Sequence, residues 1–253
     1  MRYRRINDNS RIVRYGGMLS ADISDYFLIP NRCPFSLGPC RKKPCVCEMA
    51  FEREDMVVCP SRFEEGDVLF RSIASDLGCG GLPFQKAREL KLSGSFFDFG
   101  LCFGRLPYAK YSFLEIQSLD ISGSAKGEVR KLFPDAFSSE EKSKPVGPNW
   151  QMSIKTLFME LLKKARIAKA INAPLYVALQ LGLWNYIKSK YGCFYGEGIT
   201  FLVCGFPLDR PMEIIEKVSI SYEGLAQMIL SEKIDDTVTM NAKLQRCFGG
   251  QEK

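Results

Sequence analysis

Residues 93–124, SGSFFDFGLCFGRLPYAKYSFLEIQSLDISGS, constrain this chain more than any other stretch. Two apolar runs here read as neighbouring strands, at about 95–102 and 111–119, with Asp98 at the start of the first and Glu115 and Gln117 in the second. Successive side chains alternate faces along a strand, so Glu115 and Gln117 point the same way while Phe113, Leu114 and Ile116 anchor the segment. FLEI is too apolar for an exposed strand, and the buried carboxylate it implies needs a partner or a metal. Two carboxylates converging from adjacent strands suit a hard divalent cation such as Mg²⁺, with substrate phosphate filling other positions. A polar group two residues further on, here Gln117, can hold an attacking water. The plainer alternative is a half-exposed edge strand whose E-x-Q pattern faces solvent.

Five of the ten cysteines (Cys33, Cys40, Cys45, Cys47 and Cys59) fall between residues 31 and 62. They stand beside Pro34, Gly38, Pro39 and Pro44, which favour turns. Thiolates converging from turns are typical of structural tetrahedral sites, and four sulfurs suit zinc or iron. The chain has no histidine, so a closed site here has to be all-cysteine. A disulfide with free thiols is the alternative and requires an oxidising compartment. The opening MRYRRINDNSRIVRY has no apolar core of a signal peptide, so a cytoplasmic location is expected. Cys102 and Cys204, in apolar surroundings, read as small core residues.

Together these features carry a family resemblance. The order CPF…C…CVC…VVCPSR, then SFFDFG…YSFLEIQSLDISGS, then GPNW before a long helix resembles the NotI-type restriction endonucleases, over residues 33 to about 248. The resemblance implies an α/β fold: a mixed-sheet, restriction-endonuclease-like PD-(D/E)xK core flanked by helices, with an N-terminal four-cysteine metal-binding element. It implies Mg²⁺-dependent cleavage of double-stranded DNA by a homodimer at a palindromic, GC-rich site, in the bacterial cytoplasm. A cognate DNA methyltransferase would be a functional partner without physical contact. The catalytic set would be Asp98, Glu115 and Gln117, the first two holding Mg²⁺, with Gln117 where the motif usually has lysine. The structural iron, for which zinc is the chemical alternative, would be held by Cys33, Cys40, Cys47 and Cys59. Cys45 is a rival for the third position, because this chain has CVC where the family pattern has one cysteine. A nonspecific or repair nuclease with the same core, and a non-catalytic metal-stabilised DNA-binding protein, are the other readings.

At 253 residues, 46% hydrophobic and 25% charged, the chain can bury a substantial core and is not expected to be disordered. No apolar run approaches the roughly 18 residues of a membrane span. The expected division is an arm with a four-cysteine element over 1–62 and a nuclease core over 63–253. The net charge of +6 is modest, but Arg41, Lys42 and Lys43 sit inside the cysteine loop and are candidates for phosphate contacts. The arginines of the first fourteen residues read as solvated.

Elsewhere the pattern predicts a short element near 26–29, a helix over 67–76 and a second short helix over 83–91 carrying Glu89, which reads first as part of a solvated helix face and second as an auxiliary ligand. Residues 134–149 read as a loop toward DNA. Asn149 is placed to cap a helix over 150–171, on which Lys155, Lys163, Lys164, Arg166 and Lys169 read mainly as solvated charge. LYVALQ reads as a core strand, and the following helix carries Trp184, Tyr186 and Tyr191 as core aromatics. Strands over 199–207 and 213–221 precede helical segments near 222–233 and 236–247. Asp120 has two readings, a neighbour of the metal site or a turn former.

Overall fold

The structure, a computed structural model, describes residues 11–15, 18–19, 33–40, 45–51, 54–105, 108–133 and 146–231. The described strands are β1 (Ile12–Tyr15), β2 (Met18–Leu19), β3 (Val46–Phe51), β4 (Glu54–Val57), β5 (Phe84–Leu92), β6 (Ser95–Phe103), β7 (Lys110–Gln117), β8 (Ile121–Ser122), β9 (Gly147–Pro148), β10 (Leu175–Gln180), β11 (Gly198–Gly205) and β12 (Glu213–Ser221). The α-helices are α1 (Val68–Asp76), α2 (Lys126–Leu132), α3 (Trp150–Ala170), α4 (Leu181–Tyr191) and α5 (Tyr222–Leu230), and a 3-10 segment over Pro60–Asp67 leads into α1. The fold is mixed α/β. The expected elements near 26–29 and 236–247 lie outside the described residues, as do Arg41, Lys42, Lys43 and most of the 134–149 loop.

LYVALQ is apolar in all but its last residue, and such a run persists as a strand only where both faces are covered. As β10 it is buried at every position and lies inside a six-stranded sheet of order β12-β11-β10-β7-β6-β5. It runs parallel to β7 and β11, and the remaining pairs are antiparallel. Parallel neighbours need long crossovers. Helix α3 lies in the one from β7 to β10, and α4 in the one from β10 to β11. On one face, Phe97, Phe113, Val177, Leu179, Phe201 and Val203 pack with the apolar stripes of α3, α4 and α5. On the other, Phe99, Leu101, Leu114, Tyr176, Ala178 and Leu202 pack with Phe63, Leu69, Phe70 and Ile73 of the 3-10 segment and α1. Trp184 and Tyr191 are core residues as expected, and Tyr186 stacks on Trp150 at 5.0 Å. Among the described residues no helix is long and apolar enough to cross a membrane.

The helix expected over 83–91 is instead β5. Ser93 and Gly94, both at positive φ (46° and 73°), form a two-residue hairpin loop that sets Leu92 opposite Ser95. Pairing then continues back to Phe84 opposite Phe103. Leu90 and Leu92 reach the core while Glu89 and Lys91 stay exposed, a period of two. The helix over 150–171 is present as α3, and the Asn149 side chain accepts the Met152 N–H at its start.

The amino-terminal strands form a second, antiparallel sheet of order β2-β1-β3-β4. The cysteines were expected on turns. Cys33 is on one, but Cys47 lies in β3 and Cys59 just after β4. Arg62 ties this sheet to the larger one. Its Nε donates to Glu48 Oε1 at 2.6 Å, another nitrogen donates to Glu65, and its guanidinium lies 4.7 Å from the ring of Phe35 and 5.4 Å from that of Phe206.

Candidate active site

Asp98 and Glu115 are drawn together by the pairing of β6 with β7. Phe97 stacks on Phe113 with ring centroids 4.2 Å apart, which pins the two strands beside the acidic residues. Asp98 Oδ2 accepts the backbone N–H of Ile116 at 2.7 Å, so its carboxylate lies across β7 directly after Glu115. Asp98, Glu115 and Gln117 open on one cleft of about 170 Å³, closed on the far side by Thr156, Leu157, Glu160 and Leu161 of α3. The three residues singled out in the sequence therefore share one site.

The cleft is short of positive charge. Glu115 is buried, and its Oε1 has no hydrogen-bond partner. Burial first, and the Asp98 charge second, push its carboxyl up to about 7, although Lys164 and the nearby Asp98 N–H offset part of the rise. Asp98 is raised too, chiefly by burial, against the opposing pull of the Ile116 N–H and Lys164. Glu160 and Glu89 add to that rise. Glu89 falls opposite Asp98 in the β5–β6 register, between the pairs Arg88–Phe99 and Leu90–Phe97, so it reaches this neighbourhood from a strand and not from a helix.

The expectation that Lys164 is solvated is corrected. Its Nζ lies 2.5 Å from Glu115 Oε2 and 2.7 Å from Glu160 Oε2, and the residue is buried. Burial pulls its pKa down, but the hydrogen bonds to Glu115 and Glu160 more than offset this and leave it raised. The sequence held a signal for this. Ile154, Leu157, Phe158, Leu161, Ala165 and Ala168 form the buried stripe of α3, and position 164 falls on it at helical spacing from 157, 161 and 168.

Gln117 is half-buried, and its Nε2 donates to the Ser118 carbonyl at 2.8 Å, which leaves its side-chain oxygen as the group available in the cleft. Asp120 is a backbone anchor. Its N–H donates to Ser153 Oγ and its carbonyl accepts the Asn149 N–H, joining the end of β7 to the start of α3.

No disulfide is formed among the nine described cysteines. Cys33, Cys47 and Cys59 share a buried cluster with Phe35. Cys45 is pushed up to about 12, first by burial, then by a hydrogen bond with Cys40 and the charges of Cys40, Cys59 and Cys33. Tyr15 is pushed to about 12 by burial and then by Cys45, Cys40 and Cys47. Cys40, Cys59 and Cys33 thus lie close enough to Cys45 to oppose its ionisation, a penalty that a bound cation would reverse. Among the described residues, however, no group of three or more Cys, Asp or Glu side chains is disposed to hold a metal ion.

No protein-family model matches this chain, and no curated protein matches it at a significant level. Fold and site define a mixed α/β protein with a carboxylate pair at one cleft, Glu115 buried and Asp98 open to solvent.

Proposed function

We propose that this chain is a Mg²⁺-dependent endonuclease of the type II restriction class, acting on double-stranded DNA. The observation that carries the reading is the Asp98–Glu115 pair. These two carboxylates from adjacent strands open on one cleft, and one buried oxygen of Glu115 is left without a donor. Mg²⁺ is commonly held by only one or two carboxylates, with water and substrate phosphate as its other ligands. The residues present fit such an ion.

Asp98 would offer the oxygen not engaged by Ile116, and Glu115 its Oε1. When bound, Mg²⁺ supplies polarisation of the scissile phosphoryl oxygen and a lowered pKa for its water. Gln117 is neither a cation nor a base. Its side-chain oxygen would accept a hydrogen bond from the attacking water and orient it for in-line displacement.

In this reading the cysteine cluster is a structural metal element. Cys33, Cys40, Cys47 and Cys59 would hold iron or zinc, with Cys45 competing for the third position. An all-sulfur donor set without disulfides, buried at Cys33, Cys47 and Cys59 and half-buried at Cys40, suits such thiophilic ions. Arg41, Lys42 and Lys43, between Cys40 and Cys45 in the sequence, would contact DNA phosphates. A homodimer on a palindromic, GC-rich site belongs to the same proposal, by resemblance.

Separating cleavage from binding tests the assignment. Asp98→Asn and Glu115→Gln should each cut cleavage by about three orders of magnitude and leave DNA binding intact. Gln117→Ala should be severe without being null. Unaltered rates in all three variants would remove the site.

A further inference from the structure

We propose that Lys164 is a positioning residue for the metal ligand Glu115, holding one carboxylate oxygen so that the other faces the site of a divalent cation. This inference rests on the hydrolase reading above and deepens it.

The two carboxylate oxygens of Glu115 have different surroundings. The ammonium of Lys164 reaches Glu115 Oε2 at 2.5 Å and Glu160 Oε2 at 2.7 Å, and its third side lies 5.9 Å from the ring of Phe97. It does not line the cleft, as Asp98, Glu115, Gln117 and Glu160 do. Lys164 therefore stands behind the carboxylates and touches neither the space for substrate nor the place for an attacking water. Its grip on Oε2 fixes the rotation of the Glu115 carboxylate, and Oε1 is the oxygen left buried and without a partner. A carboxylate bonded at one oxygen to a fixed cationic donor, with the other free, is a ligand oriented in advance.

Charge supports the same conclusion. Asp98, Glu115 and Glu160 share the cleft, and Lys164 is the ammonium bonded to two of them. One positive charge against three carboxylates lowers the cost of ionising the buried Glu115 and still leaves an excess of negative charge for a divalent ion. Glu160 is more than half exposed, so its share of the ammonium is the weaker one. The main effect of Lys164 accordingly passes through Glu115.

The test is calorimetric titration of the whole protein with Mn²⁺ alone, without DNA. Lys164→Gln should weaken Mn²⁺ binding by about tenfold or more, while Lys164→Arg, which keeps the charge and the donors, should largely retain it. Lys164→Gln should keep the circular dichroism spectrum and the cooperative thermal transition of the unaltered protein, a result that general unfolding would not give. Mn²⁺ binding in Lys164→Gln as tight as in the unaltered protein, while Glu115→Gln has lost it, would overturn this inference and leave the hydrolase reading standing. Absence of Mn²⁺ binding by the unaltered protein would overturn both.

Discussion

Gln180 brackets a single residue of the amino-terminal sheet. Its side-chain oxygen accepts the Val57 N–H at 2.8 Å, and its amide donates to the Val57 carbonyl at 3.1 Å. Gln180 ends β10, the strand beside β7, and Val57 ends β4, two residues before Cys59. The Leu119 N–H donates to the same Val57 carbonyl at 3.1 Å. The chain leaving the carboxylate strand and the chain leading into the cysteine cluster are thus joined at one backbone unit.

Gln180→Leu should therefore destabilise the protein by about 1–3 kcal/mol, because it leaves the buried Val57 N–H without an acceptor. Denaturant unfolding monitored through Trp184 and Trp150 measures this directly. A stability equal to that of the unaltered protein would show that the bracket does not hold the two sheets together.

The cysteine cluster predicts a metal content. Purified protein should carry about one iron or zinc ion per chain by elemental analysis. Cys33→Ser combined with Cys59→Ser should release it, lower the thermal midpoint and reduce DNA affinity more than the chemistry of cleavage. A metal-free protein with full stability and DNA affinity in the double variant would contradict the structural-metal proposal.

Glu115 gives the pH dependence of the protein freed of divalent ions by a chelator. Its pKa is raised from 4.5 to about 7 on folding. Between those values the folded state binds more protons than the unfolded state, so stability falls as pH rises. Below the window both states are protonated and no penalty remains; above it both are ionised and the penalty is complete. The thermal midpoint should accordingly fall between about pH 4.5 and about pH 7, and Glu115→Gln should remove part of that fall. An unchanged pH slope in Glu115→Gln would refute the assignment.

Much of this arrangement was legible in the sequence. The apolar FLEI run required Glu115 to be buried, and the period of two put Gln117 on its face. LYVALQ could only be a covered strand, and Asn149 marked the start of α3. What escaped the reading depended on packing between segments distant in sequence. Residues 84–92 hold enough charged residues to look like a solvated helix, and the Ser93–Gly94 turn with pairing to β6 decided for a strand. Lys164 looked like one more charge on a lysine-rich helix, because its partner Glu115 lies 49 positions earlier in the chain. Position alone, on the buried stripe of α3, set it apart from Lys155, Lys163 and Lys169, and a lysine there must find a carboxylate. The bracket between Gln180 and Val57, 123 positions apart, left no sequence signal at all.

The measurement that bears most directly on the central claim is a digest of a large GC-rich DNA by the purified protein, with and without Mg²⁺, beside Glu115→Gln. Discrete fragments that require both Mg²⁺ and Glu115 are the predicted result. A smear would replace site-specific cutting with a nonspecific nuclease. Intact DNA that is nevertheless bound, across several genomes of different sequence, would contradict the claim that Asp98 and Glu115 form a hydrolytic site.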